Sequence, residues 1–81
     1  MDRKEVEEKV KNLLIEILGV SRNKINSETR LVEDLGADSL SAVEILYAIK
    51  EEFEVDIPQK ALARAYKVKD VIDYLMRHIK K

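Results

Sequence analysis

Val6, Val10, Leu13, Leu14, Ile17 and Leu18 recur at the three- and four-residue spacing of one helix face. Just before them, Asp2-Arg3-Lys4-Glu5 has the form of a capping box, with Asp2 as N-cap and Glu5 at the third helical position. Gly19 is placed to end the run in the left-handed conformation, and apolar Val20 follows it. The pattern predicts a first helix over residues 3 to 18. Periodicity then lapses. From residue 20 to 37, Ile25, Leu31, Val32 and Leu35 stand irregularly among polar residues, as in a loop pinned to a core by apolar anchors. A loop of that length in a compact domain is usually functional.

A second helix is predicted over residues 39 to 52, and at 100° per residue it carries two apolar stripes. Ala42, Ile45, Leu46, Ile49 and Phe53 form one stripe, wide enough to face a core. Leu40, Val43 and Tyr47 form another on nearly the opposite side, flanked by Glu44 and Glu51. A helix in a small domain has a single core to face. Either Leu40 and Val43 pack beneath the loop, or they form an apolar patch rimmed with carboxylates, which is the composition of a partner site.

Pro58 ends an extended Val55-Asp56-Ile57 link and suits the first turn of a short third helix over residues 59 to 65, with Ala61, Leu62 and Ala65 inward. Val68, Val71, Ile72, Leu75, Met76 and Ile79 predict a last helix over residues 68 to 79. No segment alternates as a strand does, and none repeats. The expectation is an all-α fold: residues 1–81 form one domain, a small four-helix bundle with a short third helix and a long loop between helices 1 and 2.

At 81 residues, one core only just suffices for stability. The chain has no cysteine, so no disulfide supports that core and any thiol chemistry must arrive on a prosthetic group. Without a signal sequence or a long apolar run, a soluble, cytoplasmic monomer with no membrane insertion is expected. Net charge is −1, but it is unevenly spread. Between Glu33 and Asp56 stand eight carboxylates against Lys50 alone, whereas from Gln59 onward seven cations face Asp70 and Asp73. An acidic block of this kind is either a solvated face or a docking surface for basic partners. The basic carboxy-terminal third lacks interleaved aromatics and a glycine-rich loop, which argues against nucleic acid.

Self-contained catalysis is poorly supported. Ser39 follows a glycine loop and opens a helix, but a serine nucleophile needs an adjacent base and an orienting third group. The only histidine, His78, lies in a basic terminal segment, where the helix dipole favours a cation. No catalytic residue and no metal site is expected. A calcium loop starting at Asp34 fails, with Ser39 at the glycine position and Ile45 at the position of the bidentate glutamate. Taken as a pair, Asp38-Ser39 reads as a helix N-cap.

Val32-Glu33-Asp34-Leu35-Gly36-Ala37-Asp38-Ser39-Leu40 resembles the attachment motif of acyl carrier proteins. The resemblance continues through Val43-Glu44-Ile45, Glu51-Glu52-Phe53, Ile57-Pro58 and Val71-Ile72-Asp73-Tyr74, nearly the whole chain. It implies that Ser39 bears a covalent 4'-phosphopantetheine from coenzyme A, whose thiol carries acyl thioesters. It implies a phosphopantetheinyl transferase as partner, with Asp38 beside the transferase-bound magnesium ion. Leu40, Val43, Glu44, Tyr47 and Glu51 are then partner-binding positions for the transferase and for acyl-processing enzymes of ketosynthase, acyltransferase or ligase type. An acyl chain folding back among the later helices would meet Leu46, Ala61 and Leu62. A capped helix start would also place an attached phosphate where the dipole and free N–H groups favour an anion.

Against the pattern of fatty-acid-synthesis carriers, Tyr47 replaces methionine, Ser41 replaces an acid, and Lys50 interrupts the acidic helix end. Gln59, Lys60 and Arg64 stand where acids are usual, and Ala65-Tyr66-Lys67 replaces a Thr-Thr ending, removing an obvious cap for the last helix. These departures point toward specialised lipid or polyketide chemistry as much as general fatty-acid synthesis, while an aspartate at position 38 points away from aminoacyl cargo. The competing reading is a non-carrier interaction module that docks basic partners through its acidic second helix and never takes the arm.

Overall fold

The computed structural model describes residues 2–36, 38–58 and 67–79. Among them are three α-helices, α1 (Arg3–Leu18), α2 (Ser39–Phe53) and α3 (Val68–His78), and a single 3-10 turn at Arg22–Lys24. The short helix expected over residues 59 to 65 lies outside the described residues, so the architecture established here is all-helical with three α-helices.

Both ends of α1 form as the residues dictate. The Asp2 carboxylate accepts the Glu5 N–H at 2.9 Å, which is the N-cap half of the expected box. Gly19, at φ 68°, closes the helix by donating its N–H to the Ile15 carbonyl at 2.9 Å. α2 ends in the same left-handed geometry on Glu54, at φ 58°, a non-glycine residue there. Its N–H donates to the Lys50 carbonyl at 2.9 Å.

α1 packs against both α2 and α3. Val6, Val10 and Leu14 meet Ala42, Ile45, Ile49 and Phe53 of α2 and Val68, Val71, Ile72 and Leu75 of α3, all buried. The connections add their own anchors: Ile25 and Leu31 from the long loop and Val55 and Ile57 after α2 are buried in the same core. Leu35 and Val20 pack half-buried at its edge. No buried side-chain nitrogen or oxygen among the described residues lacks a hydrogen-bond partner.

The long loop is held by backbone pairing as well as by its apolar anchors. Thr29, a buried polar side chain, accepts the Asn26 N–H at 2.9 Å and donates to the Lys24 carbonyl at 3.2 Å. Arg30 pairs with Lys67 in an isolated antiparallel bridge. The carbonyls of Thr29 and Ser27 accept the N–H groups of Val68 at 2.8 Å and Lys69 at 3.0 Å. These are first-turn donors of α3, which a helix cannot satisfy from within. Asp70 adds its carboxylate to the Lys67 N–H at 2.9 Å. The last helix therefore has a cap after all, built from loop carbonyls and Asp70 in place of a threonine. Glu28 clasps the same junction from outside, with Lys67 at 2.9 Å and Lys69 at 3.0 Å.

Candidate functional site

The long loop ends by handing the chain to α2. Leu31 to Leu35 coil through a turn in which Gly36 donates its N–H to the Val32 carbonyl at 3.1 Å. Asp34 reinforces this turn, accepting the Arg30 N–H at 2.8 Å and pairing with its guanidinium at 3.2 Å. Gly36 leaves the turn at φ 70°, a conformation that favours glycine, and thereby redirects the backbone toward Asp38.

Asp38 is the N-cap of α2 and Ser39 is its first residue. The Asp38 carboxylate accepts the Ser41 N–H at 2.8 Å, and the Asp38 carbonyl accepts the Ala42 N–H at 2.9 Å. The cap reading of Asp38 is thus correct, and it fixes the backbone of Ser39 on the end of a rigid helix. The hydrogen bond from the Ser41 N–H, followed by that from the Ser41 side chain, holds the Asp38 carboxyl below its ordinary pKa. It is ionised at neutral pH. Because the cap already engages the Ser41 and Ala42 N–H groups, an anion attached at Ser39 would be favoured by the helix dipole more than by those two donors.

The depressed pKa has a testable consequence. A carboxylate whose pKa is lowered on folding stabilises the protein above its unfolded value, near 4, and that contribution is lost as pH falls through the folded value. Glu28 and Asp34 are lowered too, by hydrogen bonds from Lys67 and Lys69 and from Arg30 respectively. Asp38→Asn keeps a good N-cap without the titration. Thermal melts should show the variant close to wild type at neutral pH, with a smaller loss of Tm from about pH 5 to about pH 3. An unchanged acid slope would show that Asp38 is not one of the linked groups.

Beyond the capped start, the two stripes of α2 separate cleanly. Leu40, Val43 and Tyr47 are 69 %, 53 % and 66 % exposed, so they do not pack beneath the loop. Ala42, Ile45, Ile49 and Phe53 are buried on the other side, and Leu46 is half-buried against the core. Glu44 and Glu51 are exposed along the outward stripe. Much of the acidic block is spoken for elsewhere: Arg30 pairs with Glu33 and Asp34, Lys9 with Glu52 at 2.8 Å, and Lys50 with Asp56 at 2.8 Å. Lys50 therefore neutralises a carboxylate beyond the helix end and leaves the outward stripe acidic.

A family model described as a phosphopantetheine attachment site matches residues 8–75. The chain belongs to that family. Its members carry covalently attached 4'-phosphopantetheine and act as carriers, meeting phosphopantetheinyl transferases and acyl-processing enzymes. The residues at the start of α2 fit such a group: a hydroxyl-bearing residue opens the helix, an ionised carboxylate precedes it, and an exposed apolar shoulder follows.

The other expected positions are only partly brought together. Ala61 and Leu62, expected to line an acyl pocket with Leu46, lie outside the described residues. The apolar gap among Val10, Leu14, Leu31, Ile45, Ile49 and Val71 holds no space for a water molecule. Among the described residues no cluster of three or more His, Asp or Glu is arranged to hold a metal, and no helix is long and apolar enough to cross a membrane.

Proposed function

We propose that Ser39 is the attachment residue, and that this carrier presents acyl intermediates as thioesters to fatty-acid or specialised lipid and polyketide enzymes from the cytoplasm, as a monomer. The observation that supports this most is the capped start of α2, where Ser39 is the first helical residue beside exposed Leu40, Val43 and Tyr47. In the loading step the Ser39 hydroxyl forms a phosphodiester with the phosphopantetheinyl half of coenzyme A. The bond between the two phosphates breaks, adenosine bisphosphate leaves, and the hydroxyl proton passes to a base of the transferase. The arm supplies a terminal thiol that forms and yields thioesters. The chain's own residues do the rest: Asp38 fixes the helix start and offers its charge to the transferase's magnesium ion, while Leu40, Val43, Glu44, Tyr47 and Glu51 form the docking face. No group on the chain is asked to catalyse.

Intact-mass analysis before and after incubation with coenzyme A and a broad-specificity phosphopantetheinyl transferase tests this reading. A single arm should be added. No gain in mass, where a control carrier is loaded, would leave the alternative: a module that docks basic partners through α2 and never takes the arm.

Partner selection should depend on the basic segment before α3. Gln59, Lys60 and Arg64 stand where fatty-acid-synthesis carriers usually have acids, so arginine-rich surfaces that accept an all-acidic carrier meet the like charge of Lys60, Arg64 and Lys67 here. The wild type should load efficiently but turn over weakly with a general fatty-acid ketosynthase, and changing Lys60 and Arg64 to glutamate should raise that turnover. If the wild type already matches an all-acidic carrier and the swap gains nothing, the idea of a dedicated partner falls.

A further inference from the structure

The aromatic ring on the outward stripe of α2 stands between two carboxylates that no cation among the described residues neutralises. Tyr47 is 66 % exposed, and no hydrogen bond or ring contact within the described structure engages it. Glu44 lies three residues before it and Glu51 four residues after it, the spacings at which side chains are neighbours on a helix. Five of the eight carboxylates between Glu33 and Asp56 are committed: Glu33 and Asp34 to Arg30, Glu52 to Lys9, Asp56 to Lys50, and Asp38 to the helix cap. Glu44 and Glu51 have no such partner among the described residues and share the face of Tyr47.

An aromatic face with a carboxylate on either side suits one kind of cation better than another. A guanidinium is planar and weakly hydrated. It stacks on an aromatic ring while its edge N–H groups remain available to a carboxylate in a bidentate pair. An ammonium is a compact, strongly hydrated point charge that satisfies the carboxylates without using the ring face as well. We infer that the docking face of α2 selects a partner segment bearing arginine rather than lysine, the guanidinium stacking on Tyr47 between Glu44 and Glu51, and that Tyr47 is the residue that sets this preference. This rests on the reading of α2 as the docking face of a carrier. Leu40 and Val43, exposed one to two turns before Tyr47, receive the apolar side chains of the same segment.

The test uses the full chain and two designed amphipathic helical peptides, with the same apolar face and with flanking cations that are all arginine in one and all lysine in the other. Affinities are measured by titration at low salt. A cation–π contact at an exposed site is worth about 0.5–1 kcal/mol, so the arginine peptide should bind wild type roughly two- to five-fold more tightly. Tyr47→Phe should keep the preference, because the ring carries it. Tyr47→Leu should erase the preference while retaining binding of both peptides, and Glu44→Gln with Glu51→Gln should weaken both. Equal affinity of the two peptides for wild type, no binding of the arginine peptide, or a preference that survives Tyr47→Leu would overturn the inference. Arm loading measured by mass is independent of these titrations: a chain that loads but shows no arginine preference refutes only this inference, and a chain that does not load refutes the carrier reading beneath it.

Discussion

Ser39→Ala should give a protein that folds and takes no arm at all. Alanine at the first position of α2 removes the hydroxyl but leaves the Asp38 cap intact, since the cap bonds run from the Ser41 and Ala42 N–H groups. Alanine is also the best helix former, so the helical circular-dichroism signal should be retained. The remaining serines sit in different settings. Ser21 precedes the 3-10 turn, Ser27 gives its carbonyl to the Lys69 N–H, and Ser41 is half-buried with its N–H on Asp38. None opens a long helix behind a glycine turn. Intact mass should therefore show one arm on wild type and on Ser41→Ala, and none on Ser39→Ala. If Ser39→Ala is still modified, or if Ser41→Ala is the variant left bare, the assignment of Ser39 is wrong.

The parts of the fold that were legible in the sequence are those written in side chains. Asp2 and Gly19 bracket α1 because one offers a carboxylate to a free N–H and the other tolerates positive φ. The two stripes of α2 could be separated because a helix repeats every 3.6 residues, whichever stripe the core then takes. The start of α3 at Val68 was legible from its apolar spacing, but what caps it was not. Ala65-Tyr66-Lys67 offers no capping side chain before it, and the groups that serve, the carbonyls of Ser27 and Thr29, are backbone atoms with no residue signature about forty positions upstream. Glu28 was equally silent, a glutamate like its neighbours until the fold brought Lys67 and Lys69 to it. The cap of α2 was hidden for a related reason, although its end was expected to within one residue: Glu54 adopts a left-handed cap without the glycine that usually announces one. At the candidate site, the chain order Gly36, Asp38, Ser39 could be read directly, but which carboxylates around Tyr47 lack a partner among the described residues depends on pairings such as Lys9 with Glu52, 43 residues apart.

The two faces of α2 should differ as sharply in energy as in exposure. Phe53 is 7 % exposed in the common core, and truncating a buried phenylalanine removes its transfer free energy and leaves a cavity. Phe53→Ala should cost about 3–5 kcal/mol, a large part of the 5–15 kcal/mol that holds a typical small domain together. Val43 is 53 % exposed, and alanine is the better helix former there. Val43→Ala should change stability by no more than about 0.5 kcal/mol. Urea unfolding followed by circular dichroism separates the two, the Phe53 variant showing a much lower midpoint at a similar slope. Arm transfer should show a different order. Val43→Ala keeps the fold but removes an apolar contact from the docking face, so the transferase should load it more slowly than wild type. Phe53→Ala, assayed where it remains folded, should load at a rate nearer to wild type because its side chain never meets a partner. A Val43 variant that melts as early as the Phe53 variant would mean that the outward stripe is structural. One that melts like wild type and loads like wild type would move the docking contact away from Val43.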